Sequence, residues 1–302
     1  MCSICFFNPL HPLLKMINFL LPSWVANILR QPLHANKYGD ADIAALKQKL
    51  SQFIIPNPLV SIVIPAWNEE QGILHTLLSL ADTKTEYATE LIVVDNNSTD
   101  GTAKLLQRLG IHTLLETRQG VGHARTLGLQ KAKGKYILTG DSDTLYPSGW
   151  VTAMTKALVE GSQEKVHCVH GSYSFLPGAN TPRWQYSLYE LMSAMVIRKK
   201  EKTQPYLNVL GFNCGFVGQK GIDVNGYDIP VQRTFRGNAG ETDGPATEDG
   251  MMAMRLQEAG GKIKAVAGDG ARVWTSDRRL QIDGGVFKAL LLRIKKHLYK
   301  HK

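Results

Sequence analysis

Asp141-Ser142-Asp143 sets two carboxylates two residues apart, directly behind the apolar run Tyr136–Thr139 and the flexible Gly140. Hard divalent ions take oxygen ligands, and Mg²⁺ is commonly held by one or two carboxylates while substrate phosphates complete its shell. Short acidic turns are common on protein surfaces, so the weight of this motif comes from its place at the tip of a hydrophobic strand. A second polar cluster, Asp95-Asn96-Asn97-Ser98-Thr99-Asp100-Gly101-Thr102, follows the apolar run Leu91–Val94. Ser98, Thr99 or Asp100 can cap the next helix, since Asx and hydroxyl side chains bond to backbone N–H groups there. Capping does not account for a carboxylate at the strand end, where Asp95 is placed to accept hydrogen bonds from a base or a ribose. Trp67, Asn68, Glu69 and Glu70 follow a third such run, Leu59–Ile64 and Pro65.

The elements that must position these groups are written in the hydrophobic pattern. Leu59–Ile64 and Leu91–Val94 are short β-branched runs of the kind found in buried parallel strands. Between them Ile73, Leu74, Leu77, Leu78 and Leu80 recur at helical spacing, and Thr102–Leu109 predicts a second helix. The alternation continues through Thr113–Leu115, a helix over Gly122–Ala132 and the strand Tyr136–Thr139. This pattern predicts an α/β fold with a mostly parallel, doubly wound sheet, whose ligand sits beyond the carboxyl ends of the strands. We expect an N-terminal helical or interfacial segment over 1–58, a main domain over 59–279 and a basic tail over 280–302. In the first of these Asp40–Gln52 places Ile43, Leu46 and Leu50 on one helical face, and Pro56 to Pro58 break it.

Composition narrows the classes. At 302 residues and 43% hydrophobic content the chain can bury a sizeable core. Its formal net charge is +9, and part of the excess lies in Arg293, Lys295, Lys296, His297, Lys300, His301 and Lys302. That tail suggests anionic partners, a membrane surface or phosphates. No zinc-finger spacing, RNA-binding aromatic signature or helix-turn-helix pattern is present, so nucleic acid is not expected as a partner. Four scattered cysteines, Cys2, Cys5, Cys168 and Cys214, make no disulfide framework, which fits a reducing, cytoplasmic location. The apolar stretch Ile4–Ile28 is interrupted by Pro9, Pro12, Lys15 and Pro22, short of the roughly 20 residues a spanning helix needs. Val286–Tyr299 can form a helix with Val286, Leu290, Ile294 and Leu298 close to one face. It either lies in the interface of an anionic membrane or packs on the domain.

As a set, Val63-Ile64-Pro65-Ala66-Trp67-Asn68-Glu69-Glu70, Val93 to Thr102, Gly120 to Gly128 and Asp141-Ser142-Asp143 resemble the family 2 glycosyltransferases of the GT-A fold, in order and interval. The resemblance implies an inverting transfer from a nucleotide-diphosphate sugar to a glycan or lipid-linked acceptor. It implies that Pro65, Glu69 and Asp95 line the base and ribose pocket, and that Trp67, Asn97, Gly120, Arg125, Asp141 and Ser142 belong to the donor site. Asp143, helped by Asp141, would hold Mn²⁺ or Mg²⁺ against the diphosphate. Thr247-Glu248-Asp249 looks like the family's acidic motif, whose aspartate is the usual base, with Glu248 second. An inverting transfer needs one carboxylate to take the acceptor proton as that oxygen attacks opposite the leaving diphosphate. A helix N-terminus capped by Thr247 accounts for the same residues, and the two readings are compatible.

The match loosens towards the C-terminus. Arg278 and Arg279, after Trp274-Thr275-Ser276-Asp277, would stabilise the leaving group. Many relatives carry a histidine metal ligand near there, and this chain has Trp274. Asn213 corresponds to a loop that contacts sugar in relatives. His167, Cys168 and His170 alternate faces in a predicted strand and do not promise a metal cluster. Trp184, Tyr186 and Tyr189, at helical spacing, line either an acceptor groove or the core. Two rivals remain: an inactive GT-A-like binding protein at a membrane, and a sugar-nucleotide pyrophosphorylase, which would need a glycine-rich basic loop where Pro65–Glu70 is acidic.

Overall fold

Strand β1 (Val60–Ala66) is buried at every position, and so is β2 (Thr89–Asp95), which pairs with it in parallel from Val60↔Thr89 to Ala66↔Asp95. Both runs are continuously apolar because helices cover both faces of the sheet. Ile62, Ile64, Leu91 and Val93 point into one core, and Val63, Ile92 and Val94 into the other. In this computed structural model residues 20–178, 181–228, 247–282, 284–289 and 291 are described. Cys2, Cys5, most of the apolar N-terminal run and the basic tail from Leu292 lie outside the described residues.

Helix α1 (Ser23–Leu29) and helix α2 (Asp40–Leu50) precede the sheet, and α2 seats Ile43, Leu46 and Leu50 in the first core. Helix α3 (Ile73–Ala81) links β1 to β2, and α4 (Thr102–Leu109) leads to β3 (His112–Leu115). Helix α5 (Val121–Lys131) then returns to β4 (Tyr136–Thr139), which pairs with β1 in parallel. The four parallel strands stand in the order β3-β2-β1-β4, a doubly wound arrangement of the kind the alternation predicts. Beyond β4 the sheet changes hand of pairing. Next come β5 (Thr144–Leu145), α6 (Trp150–Glu160), β6 (Val166–His170) and β7 (Tyr173–Phe175). Helix α7 (Arg183–Thr203) leads to β8 (Cys214–Val217), which lies antiparallel between β4 and β6.

Helix α8 (Gly218–Asp223), helix α9 (Glu248–Glu258) and strand β9 (Lys262–Ala265), parallel to β6, complete the seven-stranded sheet. Strand β10 (Val273–Thr275) sits between β5 and β7 in a separate three-stranded sheet, and α10 (Arg278–Ile282) follows it. The small sheet has no counterpart in the sequence reading, and of the 21-residue α7 only the helical spacing of Trp184, Tyr186 and Tyr189 is legible there. Their inward faces combine aromatic and polar residues rather than a clean apolar stripe. Packing crosses both expected domain boundaries: α2 enters the main core, and Leu280, Val286 and Ala289 pack with Phe175, Tyr186 and Tyr189.

Candidate active site

The loops after β1 and β2 are stitched to one another by side chain to backbone bonds. Asn68, in the left-handed region at φ 52°, accepts from the Thr99 amide at 2.8 Å and donates its own amide to Ser98 Oγ at 3.0 Å. The Glu69 amide donates to Thr102 Oγ1 at 2.8 Å, and the Glu70 amide to Asp100 Oδ2 at 3.1 Å. Asp95 Oδ1 accepts from the Ser98 amide at 3.0 Å, closing the turn. Ser98 to Thr102 thus build the turn, and Asp95, buried at the strand tip, is bonded into the same turn. Asn97 adopts φ 61°, and Gly120 adopts φ 140° at the entry to α5, its amide donating to Asn96 Oδ1 at 2.8 Å. The Asn96 amide in turn donates to the carbonyls of Glu116 and Arg118, so one side chain ties the loop after β2 to the loop after β3. Pro65 is buried and Trp67 half-buried at the end of β1.

The Asp141–Asp143 turn is held from beneath. Tyr146, fully buried, accepts from the Asp141 amide at 2.8 Å and donates to the Phe212 carbonyl at 3.1 Å. A Cβ on Gly140 would collide with the Tyr146 hydroxyl, so the close approach requires glycine there. The Ser142 carbonyl accepts from Thr76 Oγ1 at 2.8 Å, and the Asp143 carbonyl accepts from the Ser276 amide at 3.2 Å. Nothing local in the sequence marks the bonds of Tyr146 to Phe212 or of Thr76 to Ser142, each of which spans 66 residues.

Two arginines divide the acidic groups. Arg125, from α5, has a side chain only 3% exposed. Its Nη2 donates to Asp141 Oδ1 at 2.7 Å, and its Nη1 donates to Asp249 Oδ1 at 2.6 Å and Glu248 Oε1 at 3.0 Å. Burial works against its charge, but Asp249, Asp141 and Glu248 outweigh it and hold the guanidinium well above the usual arginine range. Gly211 packs flat on this guanidinium, where a Cβ would overlap it. Thr247 caps α9, accepting from the Gly250 amide at 3.0 Å, so the capping reading of Thr247-Glu248-Asp249 and its delivery of two carboxylates to one point coexist.

The second arginine, Arg278, begins α10 and is 58% exposed. Its Nη2 donates to Asp143 Oδ2 and to Glu69 Oε1, each at 2.6 Å. Burial pushes the Glu69 carboxyl up to about 7, and the nearby Asp143 and Asp141 charges add to that rise while Arg278 opposes it. Glu69, Asp143 and Arg278 form the polar side of a cleft of about 700 Å³, whose apolar side includes Leu29, Leu33 and Leu176.

Not every predicted residue reaches this site. Asn213 is turned inward: its amide donates to the Ser172 and Ala271 carbonyls, and its oxygen accepts from Trp150 Nε1 at 2.9 Å. With all three bonds made to protein, Asn213 fixes a loop rather than presenting a group to a sugar. Arg279 lies in α10, and its side chain is outside the described residues. Trp274 is buried in β10 with the Arg183 guanidinium 5.0 Å from its ring, so it is a packing residue. Among the described residues no three His, Cys, Asp or Glu side chains form a metal cluster, His167, Cys168 and His170 included. The oxygen ligands that remain, Asp141 and Asp143 two residues apart on one turn and each bonded to a different arginine, fit a hard divalent ion whose other positions are filled by substrate oxygens, and do not fit a site closed by protein alone.

Residues 61–220, more than half of the chain, match the sequence model described as glycosyl transferase family 2. The putative teichuronic acid biosynthesis glycosyltransferase TuaG of Bacillus subtilis is 33% identical over 111 residues, which is 35% of this chain and 44% of that protein. Matches to the first curated relatives span between 26% and 48% of their length. Among solved structures, residues 1–349 of S. aureus TarS in complex with UDP-GlcNAc align with a TM-score of 0.53 and 17% identity, covering 72% of this chain and 58% of that one. The mannosyltransferase PcManGT of Pyrobaculum calidifontis, in complex with GDP-Man and Mn²⁺, aligns with a TM-score of 0.50 and 18% identity, covering 83% and 68%. At these identities the structural likeness speaks for the fold, which is the GT-A arrangement.

Proposed function

The chain belongs to glycosyltransferase family 2, and on that premise we propose that it moves a sugar from a nucleoside-diphosphate sugar to an acceptor hydroxyl with inversion at the anomeric carbon. The observation that carries this reading is the Arg125 guanidinium, which holds Asp141 on one nitrogen and Asp249 with Glu248 on the other. It brings the donor-side carboxylate turn to within one side chain of an acidic pair 123 and 124 residues further along the chain than Arg125 itself.

In this mechanism Asp95 and the loop around Pro65, Trp67 and Asn97 receive the nucleoside, with Gly120 allowing close approach of the α5 N-terminus. Asp143, with Asp141, would hold Mn²⁺ or Mg²⁺, which when bound offsets the charge of the diphosphate. Arg278 turns from Asp143 towards the leaving group as the donor enters, an exchange its exposure permits. Asp249 takes the acceptor proton on Oδ2 while Arg125 fixes Oδ1, and Glu248 shares the same anchor. The acceptor is the hydroxyl of a glycan or of a lipid-linked sugar, and a lipid carrier would bring the chain to the cytoplasmic face of a membrane.

Thermal shift against UDP, GDP and their common sugars, with and without Mn²⁺, tests donor binding, since a ligand that binds only the native state raises its stability. The donor that shifts the protein should also release its nucleoside diphosphate when acceptor is supplied. No shift and no release across the panel would contradict the reading. An α-linked product from an α-linked donor, read by NMR, would contradict inversion alone.

A further inference from the structure

Helix α7 carries an exposed stripe that its packing does not use. Its inward face consists of Tyr186, Ser187, Tyr189, Glu190, Ser193 and Ala194. On the other face Trp184, Leu188 and Met195 are 55%, 41% and 50% exposed. Their spacing, i, i+4 and i+11, puts all three on one line of a helix with 3.6 residues per turn. Arg198, Lys199 and Lys202 continue that line and are also exposed, so the stripe is apolar at its start and cationic at its end. Met195, Arg198, Lys199, Lys202 and Thr203 line one groove of about 410 Å³.

The C-terminal segment widens the apolar end. Residues 286–289 are helical, Val286 and Ala289 pack inward, and Phe287 and Leu291 stay exposed. The Phe287 ring stands edge-on to Trp184 with centroids 6.4 Å apart. The face expected from the sequence, which includes Val286, is thus the packed one at its start, and the neighbouring face with Phe287 and Leu291 is outward. Beyond it the chain continues for eleven residues carrying Arg293, Lys295, Lys296, Lys300 and Lys302.

We propose that this face, Trp184, Leu188, Met195 and Phe287 with the cations of α7, docks the protein on the surface of an anionic lipid bilayer. An exposed apolar stripe framed by cations is the pattern of an interfacial helix: the aromatic and aliphatic side chains enter the acyl boundary and the basic groups meet lipid phosphates. No helix among the described residues is long and apolar enough to cross a membrane, so the contact is peripheral. On the opposite face of α7 the Tyr186 hydroxyl donates to Asp277, which with its neighbour Arg278 lines the cleft beside Asp143 and Glu69. Docking through α7 would therefore hold that edge of the cleft near the bilayer. This last point rests on the glycosyltransferase reading, while the docking surface stands without it.

Flotation of the full chain tests the surface, using vesicles of phosphatidylcholine mixed with phosphatidylglycerol against phosphatidylcholine alone. The wild type should float with the anionic vesicles, and less as salt is raised, because exposed charges are screened. Trp184→Ser with Leu188→Ser and Met195→Ser, and separately Arg198→Glu with Lys199→Glu and Lys202→Glu, should each lower the bound fraction about tenfold. Ile54→Ser with Leu115→Ser, exposed apolar residues elsewhere, should float like the wild type. Melting curves establish that each variant is folded. Wild type left in the bottom fraction with both vesicles, or either α7 variant floating undiminished, overturns the proposal. No transfer reaction enters the assay, so an inactive enzyme that floats leaves the surface standing and an active one that does not float removes it.

Discussion

The two arginines of the site hold carboxylates in opposite circumstances. Arg125 is 3% exposed and bonds three of them, whereas Arg278 is 58% exposed and bonds two. A buried guanidinium among several carboxylates is costly to disturb, because any group left alone stays charged in a medium that solvates it poorly. Arg278 itself stands largely in water, which competes for its guanidinium, so its bonds to Asp143 and Glu69 contribute less to stability. Arg125 therefore fixes the Asp141 turn relative to Asp249, and in the proposed mechanism Arg278 is the arginine that leaves its carboxylate when a donor binds.

Arg125→Met strikes this contrast hardest. It strands Asp141, Glu248 and Asp249 and should lower stability by about 3–5 kcal/mol in denaturant unfolding. A variant as stable as the wild type would mean the cluster is not the structural hub described here. Asp143→Ala should leave the fold nearly intact while reducing kcat/KM at least about 100-fold, with EDTA acting likewise on the wild type, because neutralising a developing phosphate charge supplies several kcal/mol. Full turnover by that variant, or in EDTA, would remove the metal from the account.

Glu69 gives a smaller effect with a defined sign. Its carboxyl is raised from 4.5 to about 7, so across that window the native protein binds more protons than the unfolded chain. Stability from this group is fully present below pH 4.5 and is lost as pH rises through about 7. Glu69→Gln should flatten the fall of melting temperature over the window, a change on the order of 2 kcal/mol. An unchanged slope would place the titration elsewhere. Arg278→Gln should alter stability least, by less than about 1 kcal/mol, while weakening donor binding in calorimetry. A large loss of stability would erase its difference from Arg125.

Much of the first half was legible in the sequence because β1, β2 and β4 are buried on both sides and read as continuous apolar runs. The helix Thr102–Leu109 was legible to the residue, and the strand ends carry Asp95 and Asp141 where polar residues follow those runs. Arg125 was legible only in part: the family resemblance assigned it to the donor site, and besides Asp141 its bonds reach Glu248 and Asp249, 123 and 124 residues away, a range that no local pattern encodes. Asn213 misled for a related reason, since its three partners come from Trp150, Ser172 and Ala271. The inward face of α7 mixes Tyr, Ser and Glu, so periodicity alone leaves its direction undecided, and only the packing shows that Tyr186 and Tyr189 are core while Trp184 faces out.

In the proposed mechanism Asp249, fixed by Arg125, is the base. Asp249→Asn keeps the shape of the side chain and can still accept from Arg125, but its amide cannot take a proton. Donor binding and turnover of this one variant, measured side by side, test the claim most directly. The account predicts donor affinity within about threefold of the wild type, with kcat lowered by about 100-fold or more, the scale of general-base catalysis. Turnover at the wild-type rate would contradict it and pass the role to Glu248.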